Sequence, residues 1–255
     1  MTSPSEHEHT SGTAVLVTGA TGDIGQAIVS RLVSTGVSVF CAGRDDDRLA
    51  ALVAQHGDAV IPLCYDVCDE AAVKTAFRTL QQTLSAMPAC SLSGLVNCAG
   101  MMKESALAVT SRAMLQAHLD VNYLAAYQHM QLASRLMMKA RSGSIVNVVS
   151  QVGELGSAGM SAYAASKAAL TGATYSLAKE LAAVGIRVNA VSPGFIDTSL
   201  TRHYDQSARE KVLSRIAMRH AGRAEDVANA VQYLLSDQSA YITGQVLSVD
   251  GMFCP

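Results

Sequence analysis

Short, almost wholly apolar runs alternate along this chain with longer stretches in which apolar residues recur every three or four positions. The runs fall at 14–18, 37–42, 59–64, 94–97, 145–149, 186–191 and 245–249. Strands that stay apolar without polar alternation belong to a sheet covered on both faces. Helix-period stretches occupy 23–34, 45–56, 69–85, 105–140, 161–184, 207–217 and 225–236. The alternation predicts an α/β fold: a doubly wound parallel sheet of about seven strands, helices on both faces, right-handed crossovers. Residues 85–94, with Pro88, read as a surface connection.

Composition narrows this picture. A chain of 255 residues that is 49% hydrophobic can bury one large core. We expect one domain over 13–255 and a disordered polar tail over 1–12, to which Glu6-His7-Glu8-His9 belongs rather than to a metal site. A net charge of −2 and a pI near 6.4 give no general attraction to nucleic acid or an anionic membrane. No run reaches membrane-spanning length and the tail has no hydrophobic signal region, so a cytoplasmic location is expected. The six cysteines lack paired C-x-x-C spacing and read as thiols, not disulfides or zinc ligands, and no metal site is expected.

Two constellations carry chemistry. The run Ala14–Thr18 passes into Gly19-Ala20-Thr21-Gly22-Asp23-Ile24-Gly25 and then a helix pattern. Glycines there allow a tight turn and close backbone approach, and the helix start offers free N–H groups to a pyrophosphate. The next strand ends in Gly43-Arg44, where a chain preferring NAD would place a carboxylate against the ribose 2′-hydroxyl. A guanidinium there favours a 2′-phosphate, and so NADP(H). Further on, Tyr163 and Lys167 stand four apart in an alanine-rich run without proline, so a helix puts both on one face. A nearby ammonium is expected to favour the phenolate and make Tyr163 a usable acid or base. Ser150 ends the run 145–149 and points into the crevice at the sheet edge, where it could hold a carbonyl oxygen.

These residues, with Asp66-Val67, Asn97-Cys98-Ala99-Gly100, Asn122, Arg187-Val188-Asn189 and Pro193-Gly194-Phe195-Ile196-Asp197-Thr198, resemble the short-chain dehydrogenase/reductase family over nearly the whole chain, from Thr13 to Met252. The resemblance implies a Rossmann-type fold and a catalytic set of Asn122, Ser150, Tyr163 and Lys167. It implies that Asp66 and Val67 flank adenine, and that Asn97, Ala99 and Gly100 line the middle of the cofactor. Pro193, Gly194, Ile196 and Thr198 then meet its nicotinamide end, and Lys167 its ribose. Asn122 is implied to interrupt its helix and hold a water that links Lys167 to solvent. One departure bears on cofactor binding: Asp23 stands where the short-subunit branch usually has glycine, and its carboxylate would repel a pyrophosphate unless turned outward or used as a cap.

By overall pattern the resemblance is to the 3-oxoacyl-carrier-protein reductase branch, which implies reduction of a 3-oxoacyl thioester and a homotetramer built on the long helices 105–140 and 161–184. Residues 195–223 read as a lid rich in Lys and Arg, suited to a phosphate-bearing substrate or an acyl carrier protein. Arg141 matches a basic position that contacts the carrier, whereas Val184 stands where another basic residue is common. A free ketone as substrate, a dehydrogenase running in the oxidative direction and a non-catalytic NADP-binding protein remain open.

Overall fold

The computed structural model describes residues 12–253 apart from Pro88 and His203; residues 1–11, including Glu6–His9, lie outside it. Seven strands form one parallel sheet: β1 (Thr13–Thr18), β2 (Ser38–Gly43), β3 (Val60–Cys64), β4 (Ser91–Asn97), β5 (Gly143–Val148), β6 (Ile186–Pro193) and β7 (Val246–Val249). Their spatial order is β3-β2-β1-β4-β5-β6-β7. The winding reverses between β1 and β4, which opens a crevice beyond the carboxyl ends of those strands.

Alternate residues of each strand feed opposite cores, which is why the runs are apolar throughout. Ala14, Leu16, Ile145, Val188 and Ala190 pack with the helices α3 (Glu70–Ala86), α5 (Ala125–Ala140) and α7 (Ser161–Leu181). Val15, Val17, Val146 and Val191 pack on the other face with α1 (Asp23–Val33), α2 (Asp46–His56) and α9 (Ala224–Leu235). Leu16 and Ile145 have no solvent exposure, and truncating either to alanine should cost about 2–5 kcal/mol.

Three stretches differ from the sequence expectation. The expected helix 105–140 begins only at α4 (Arg112–Leu119), after a short 3₁₀ turn, Leu107–Val109. The hydroxyl of Ser111 caps it by accepting the Met114 N–H, a signal the apolar period does not carry. A π turn at Asp120–Leu124 then separates α4 from α5, with Asn122 at its centre as the resemblance implied. The connection at 85–94 is shorter than expected, because α3 runs to Ala86 and β4 begins at Ser91, where Thr13 recruits it into the sheet. The segment 195–223, expected as a lid, holds one regular helix among its described residues, α8 (Gln206–Ser214), capped by Asp205. A short helix, α6 (Val152–Leu155), follows β5.

Candidate active site

A single cavity of about 1040 Å³ runs along the carboxyl edge of the sheet, from Arg44 and Asp66 past the glycine turn to Tyr163 and the lid. Thr18 ties its floor together: the hydroxyl oxygen accepts the N–H groups of Cys98 and Ala99, each at 3.2 Å. Gly19 has a φ of +66°, and a Cβ there would lie 2.7 Å from Ala99. A Cβ on Gly25 would come within 2.1 Å of the Gly19 carbonyl oxygen, so this turn admits only glycine at both positions. Gly22 caps α1 without a side chain, leaving the first N–H groups of the helix without a side-chain acceptor. The Gly22 N–H is spent on the Gly19 carbonyl at 3.1 Å, so this cradle fits a dinucleotide with its pyrophosphate at the amides of Asp23 and Ile24.

The Asp23 carboxylate borders the cavity and has a partner there. It accepts the backbone N–H of Ser199 in the lid, and this bond, ahead of the opposing effect of burial, holds its pKa below the usual carboxylate range.

At the adenosine end, Arg44 lies 3.8 Å from Asp66 Oδ2, and both border the cavity. Arg48, in the first turn of α2, borders it as well. The sequence reading passed over Arg48; its signal was the four-residue spacing from Arg44. Gly43 leaves little room for a carboxylate, since a Cβ there would meet Thr21 Cγ2 at 3.1 Å.

At the other end, Ser150, Tyr163 and Lys167 all line the cavity. The Ser150 side chain approaches the Tyr163 phenol and acts to lower its pKa. The Ser150 oxygen also accepts the Val152 N–H at 3.2 Å, which aims the hydroxyl at the start of α6. Lys167 is 5% exposed, and its Nζ donates to the Val148 carbonyl oxygen at 2.7 Å. Burial lowers the Lys167 pKa to about 8.

The expectation for Tyr163 needs correction. Its pKa is raised, by burial first, with the Ser150 side chain opposing. The Lys167 ammonium sits 6.0 Å from the ring centroid and spends its charge on Val148, so desolvation of the phenolate prevails. The phenol is therefore held protonated, in the form that donates.

Most of the remaining expected residues converge on the same cavity: Gly19, Thr21, Gly22, Asp23, Ile24, Val67, Ala99, Gly100, Pro193, Gly194, Ile196 and Thr198 all border it. Two side chains do not. Asn97 is 2% exposed and donates to Asn147 Oδ1 at 2.8 Å in the core between β4 and β5. Asn122 is 1% exposed, and its carboxamide clasps Met101, accepting the N–H at 2.8 Å and donating to the carbonyl at 3.0 Å. A Cβ on Gly100 would lie 3.3 Å from Asn122 Oδ1 and 3.6 Å from Lys167 Nζ, so the three converge behind the cavity wall.

Of the remaining wall, sequence reasoning missed Phe253. Met101, Met102, Leu155, Met160, Phe195, Leu200 and Phe253 supply an apolar lining, with Gln151 and Arg215 as polar members. Phe253 arrives through a bridge to Ile216, a pairing with no local signal. Arg141, expected at the carrier contact, instead ends α5 in a left-handed conformation and donates to the Ala183 carbonyl at 3.1 Å. It precedes β5 and so stands at the opposite edge of the sheet from the cavity. No cluster of three or more potential metal-binding side chains occurs among the described residues.

Such a crevice in a doubly wound sheet is the place where proteins of the dinucleotide-binding α/β class hold their ligand. Residues 19–252 match the family model described as enoyl-(acyl carrier protein) reductase. The chain belongs to the short-chain dehydrogenase/reductase family. It is 37% identical over 243 residues to the 3-oxoacyl-(acyl-carrier-protein) reductase FabG of Thermotoga maritima, covering 94% of this chain and 97% of that one. Identity to the reductase of the same name from Escherichia coli is 34% over 240 residues, covering 94% and 96%. Nodulation protein G of a Rhizobium species is 35% identical over 240 residues, with the same coverage. Among solved structures, a protein described as a gluconate dehydrogenase from Agrobacterium tumefaciens superposes with a TM-score of 0.90 at 27% identity, covering 94% of this chain and 96% of that one.

Proposed function

We propose that this protein is an NADPH-dependent ketoreductase that reduces a 3-oxoacyl thioester to the secondary alcohol. The observation that carries the reading is the placement of Ser150, Tyr163 and Lys167 together at one end of a cavity whose far end presents Arg44 and Arg48. Arg44 and Arg48 would hold the 2′-phosphate of NADP(H), with Asp66 and Val67 beside the adenine. The amides of Asp23 and Ile24 would hold its pyrophosphate, and Ile196 and Thr198 its carboxamide. When bound, NADPH supplies the hydride.

Ser150 and Tyr163 donate hydrogen bonds to the ketone oxygen and polarise the carbonyl. As negative charge develops on that oxygen, Tyr163 delivers its proton and becomes a phenolate. The Lys167 ammonium then stabilises the phenolate, and a proton drawn from solvent past Lys167 and the Asn122 turn restores the phenol. The apolar walls from Met101 to Phe253 receive the acyl chain and exclude water, and Arg215 faces the phosphate-bearing carrier. Residues 13–255 act as one domain with 195–223 as its lid, in a cytoplasmic homotetramer. Exposed Leu115, Leu124, Tyr127 and Tyr175 on α4, the π turn, α5 and α7 are the surface that such an assembly would cover.

A second reading, action on a free small ketone or alcohol, is favoured by the position of Arg141 away from the mouth and by the fold of the gluconate dehydrogenase neighbour. Nicotinamide absorbance decides between them, using acetoacetyl-coenzyme A and ethyl acetoacetate with NADPH and NADH, and gluconate with NADP+ and NAD+. NADPH-dependent turnover of the thioester that falls by about 10²–10⁴ in Tyr163→Phe is expected. Turnover of the free compounds alone moves the enzyme to the second reading, and a Tyr163→Phe variant within tenfold of the parent refutes both.

A further inference from the structure

His118 lies on α4 one turn before Asn122, so the two side chains share a helix face. The ring has no solvent exposure. Its Nδ1 sits 2.8 Å from the Met114 carbonyl oxygen, and its Nε2 lies 3.2 Å from the backbone N of Lys103. A carbonyl only accepts and a backbone N–H only donates. One species satisfies both: a neutral imidazole with its proton on Nδ1. The same ring meets Tyr163 edge to face, with centroids 6.5 Å apart and planes at 74°.

The segment that His118 reads runs along the substrate side of the cavity, and it is tied down at every second residue. Asn122 clasps Met101, His118 accepts from Lys103, and Ser105 N–H donates to the Gly159 carbonyl at 2.7 Å. Between the ties, Met102 lines the cavity and Glu104 accepts the Tyr204 hydroxyl from the lid at 2.5 Å. The middle tie is thus the one that touches both the proposed acid and the segment bearing the lid contact.

We infer that His118 is a positioning residue: it fixes the Tyr163 ring and, through Lys103, holds residues 101–105 in the conformation that shapes the ketone site and receives the lid. The inference rests on Tyr163 acting as the acid, so Tyr163→Phe is measured in parallel. His118→Leu keeps apolar bulk but removes the acceptor, and His118→Gln restores an acceptor near the Nε2 position. With acetoacetyl-coenzyme A and ethyl acetoacetate as ketones, kcat/KM for the ketone should fall about 10–100-fold in His118→Leu and recover largely in His118→Gln. The KM for NADPH should stay within about twofold, because the tie lies on the substrate side.

Lys103→Pro deletes the same bond from the loop without disturbing the buried helix, and should reproduce the His118→Leu loss. In long-range ¹H–¹⁵N spectra of the parent protein, His118 should show protonated Nδ1 and bare Nε2 whatever the substrate proves to be. A His118→Leu or Lys103→Pro enzyme with unchanged ketone kinetics beside an inactive Tyr163→Phe overturns the inference and leaves the ketoreductase reading standing. Equal loss in the Leu and Gln variants, or an Nε2–H tautomer, also overturns it.

Discussion

Asp23, at the first position of the helix behind the glycine turn, accepts the backbone N–H of Ser199, 176 residues further along the chain. The contact ties the proposed pyrophosphate cradle to the lid. It gives a carboxylate beside a proposed site for an anion a hydrogen-bond donor of its own, with Arg202 and Arg48 adding attraction.

Charge and tether can be separated at this position. Asp23→Asn keeps an acceptor for Ser199 and loses the negative charge, so NADPH should bind tighter by about threefold. Asp23→Ala loses both, and release of the lid should speed NADPH dissociation by about tenfold, the worth of one hydrogen bond to a charged group. Stopped-flow nicotinamide fluorescence reads both, and slower release from Asp23→Ala than from the parent would show that the tether is idle.

Lys167 sets an alkaline limit on reduction. Its pKa of about 8 means that the ammonium which stabilises the Tyr163 phenolate is lost as pH rises through that value. Tyr163 is shifted upward and stays protonated over the same range. The log of kcat should therefore be flat below pH 8 and fall about tenfold per unit above it. Stability moves the other way. The unfolded chain binds more protons between about 8 and 10.5, so the fold gains stability as pH rises through that window. A kcat profile still flat at about pH 10 would remove Lys167 from the relay.

Arg44 and Arg48 should share cofactor selection. Each borders the end of the cavity proposed to take the 2′-phosphate, and loss of one charge-assisted contact there is worth about tenfold or more. Arg44→Ala and Arg48→Ala should each raise KM for NADPH by about that factor and leave KM for NADH nearly unchanged. An equal effect on both cofactors would place the guanidiniums away from the phosphate.

His129 makes the fold sensitive to acid. Its Nε2 accepts the Tyr65 hydroxyl at 2.8 Å, its Nδ1–H donates to the Ala125 carbonyl, and burial lowers its pKa to about 4. Between pH 6.5 and 4 the unfolded chain binds the extra proton, so stability declines as pH falls through this window, by about 3 kcal/mol in total. Urea midpoints should show the decline, and the double variant Tyr65→Phe/His129→Phe should lose it. A parent midpoint that does not move between pH 7 and 4 would contradict the assignment.

Much of the fold and site could be read from sequence because the signals were local. Strand runs, the glycine turn and the Tyr163–Lys167 pair each depend on residues within a few positions of one another. Errors arose where the outcome depended on distant chain. Asn97 looked like a cofactor contact, but its amide is taken by Asn147 on the neighbouring strand. Arg141 looked like a mouth residue, but Ala183 binds its guanidinium at the far edge. The bond from Lys103 to His118 was invisible because nothing in the helix pattern names a loop partner.

The sequence by itself determined the alternation of strands and helices, the dinucleotide turn and the presence of the acid, the serine and the lysine. Those follow from pleat and helix periods and from backbone conformations that glycine alone adopts. Tertiary structure decided which form of Tyr163 predominates, where Asp23 directs its charge and what lines the ketone site. Desolvation and hydrogen-bond partnership are set by groups that arrive through space, from Val148, Ser199 and Phe253, and no local period encodes their arrival.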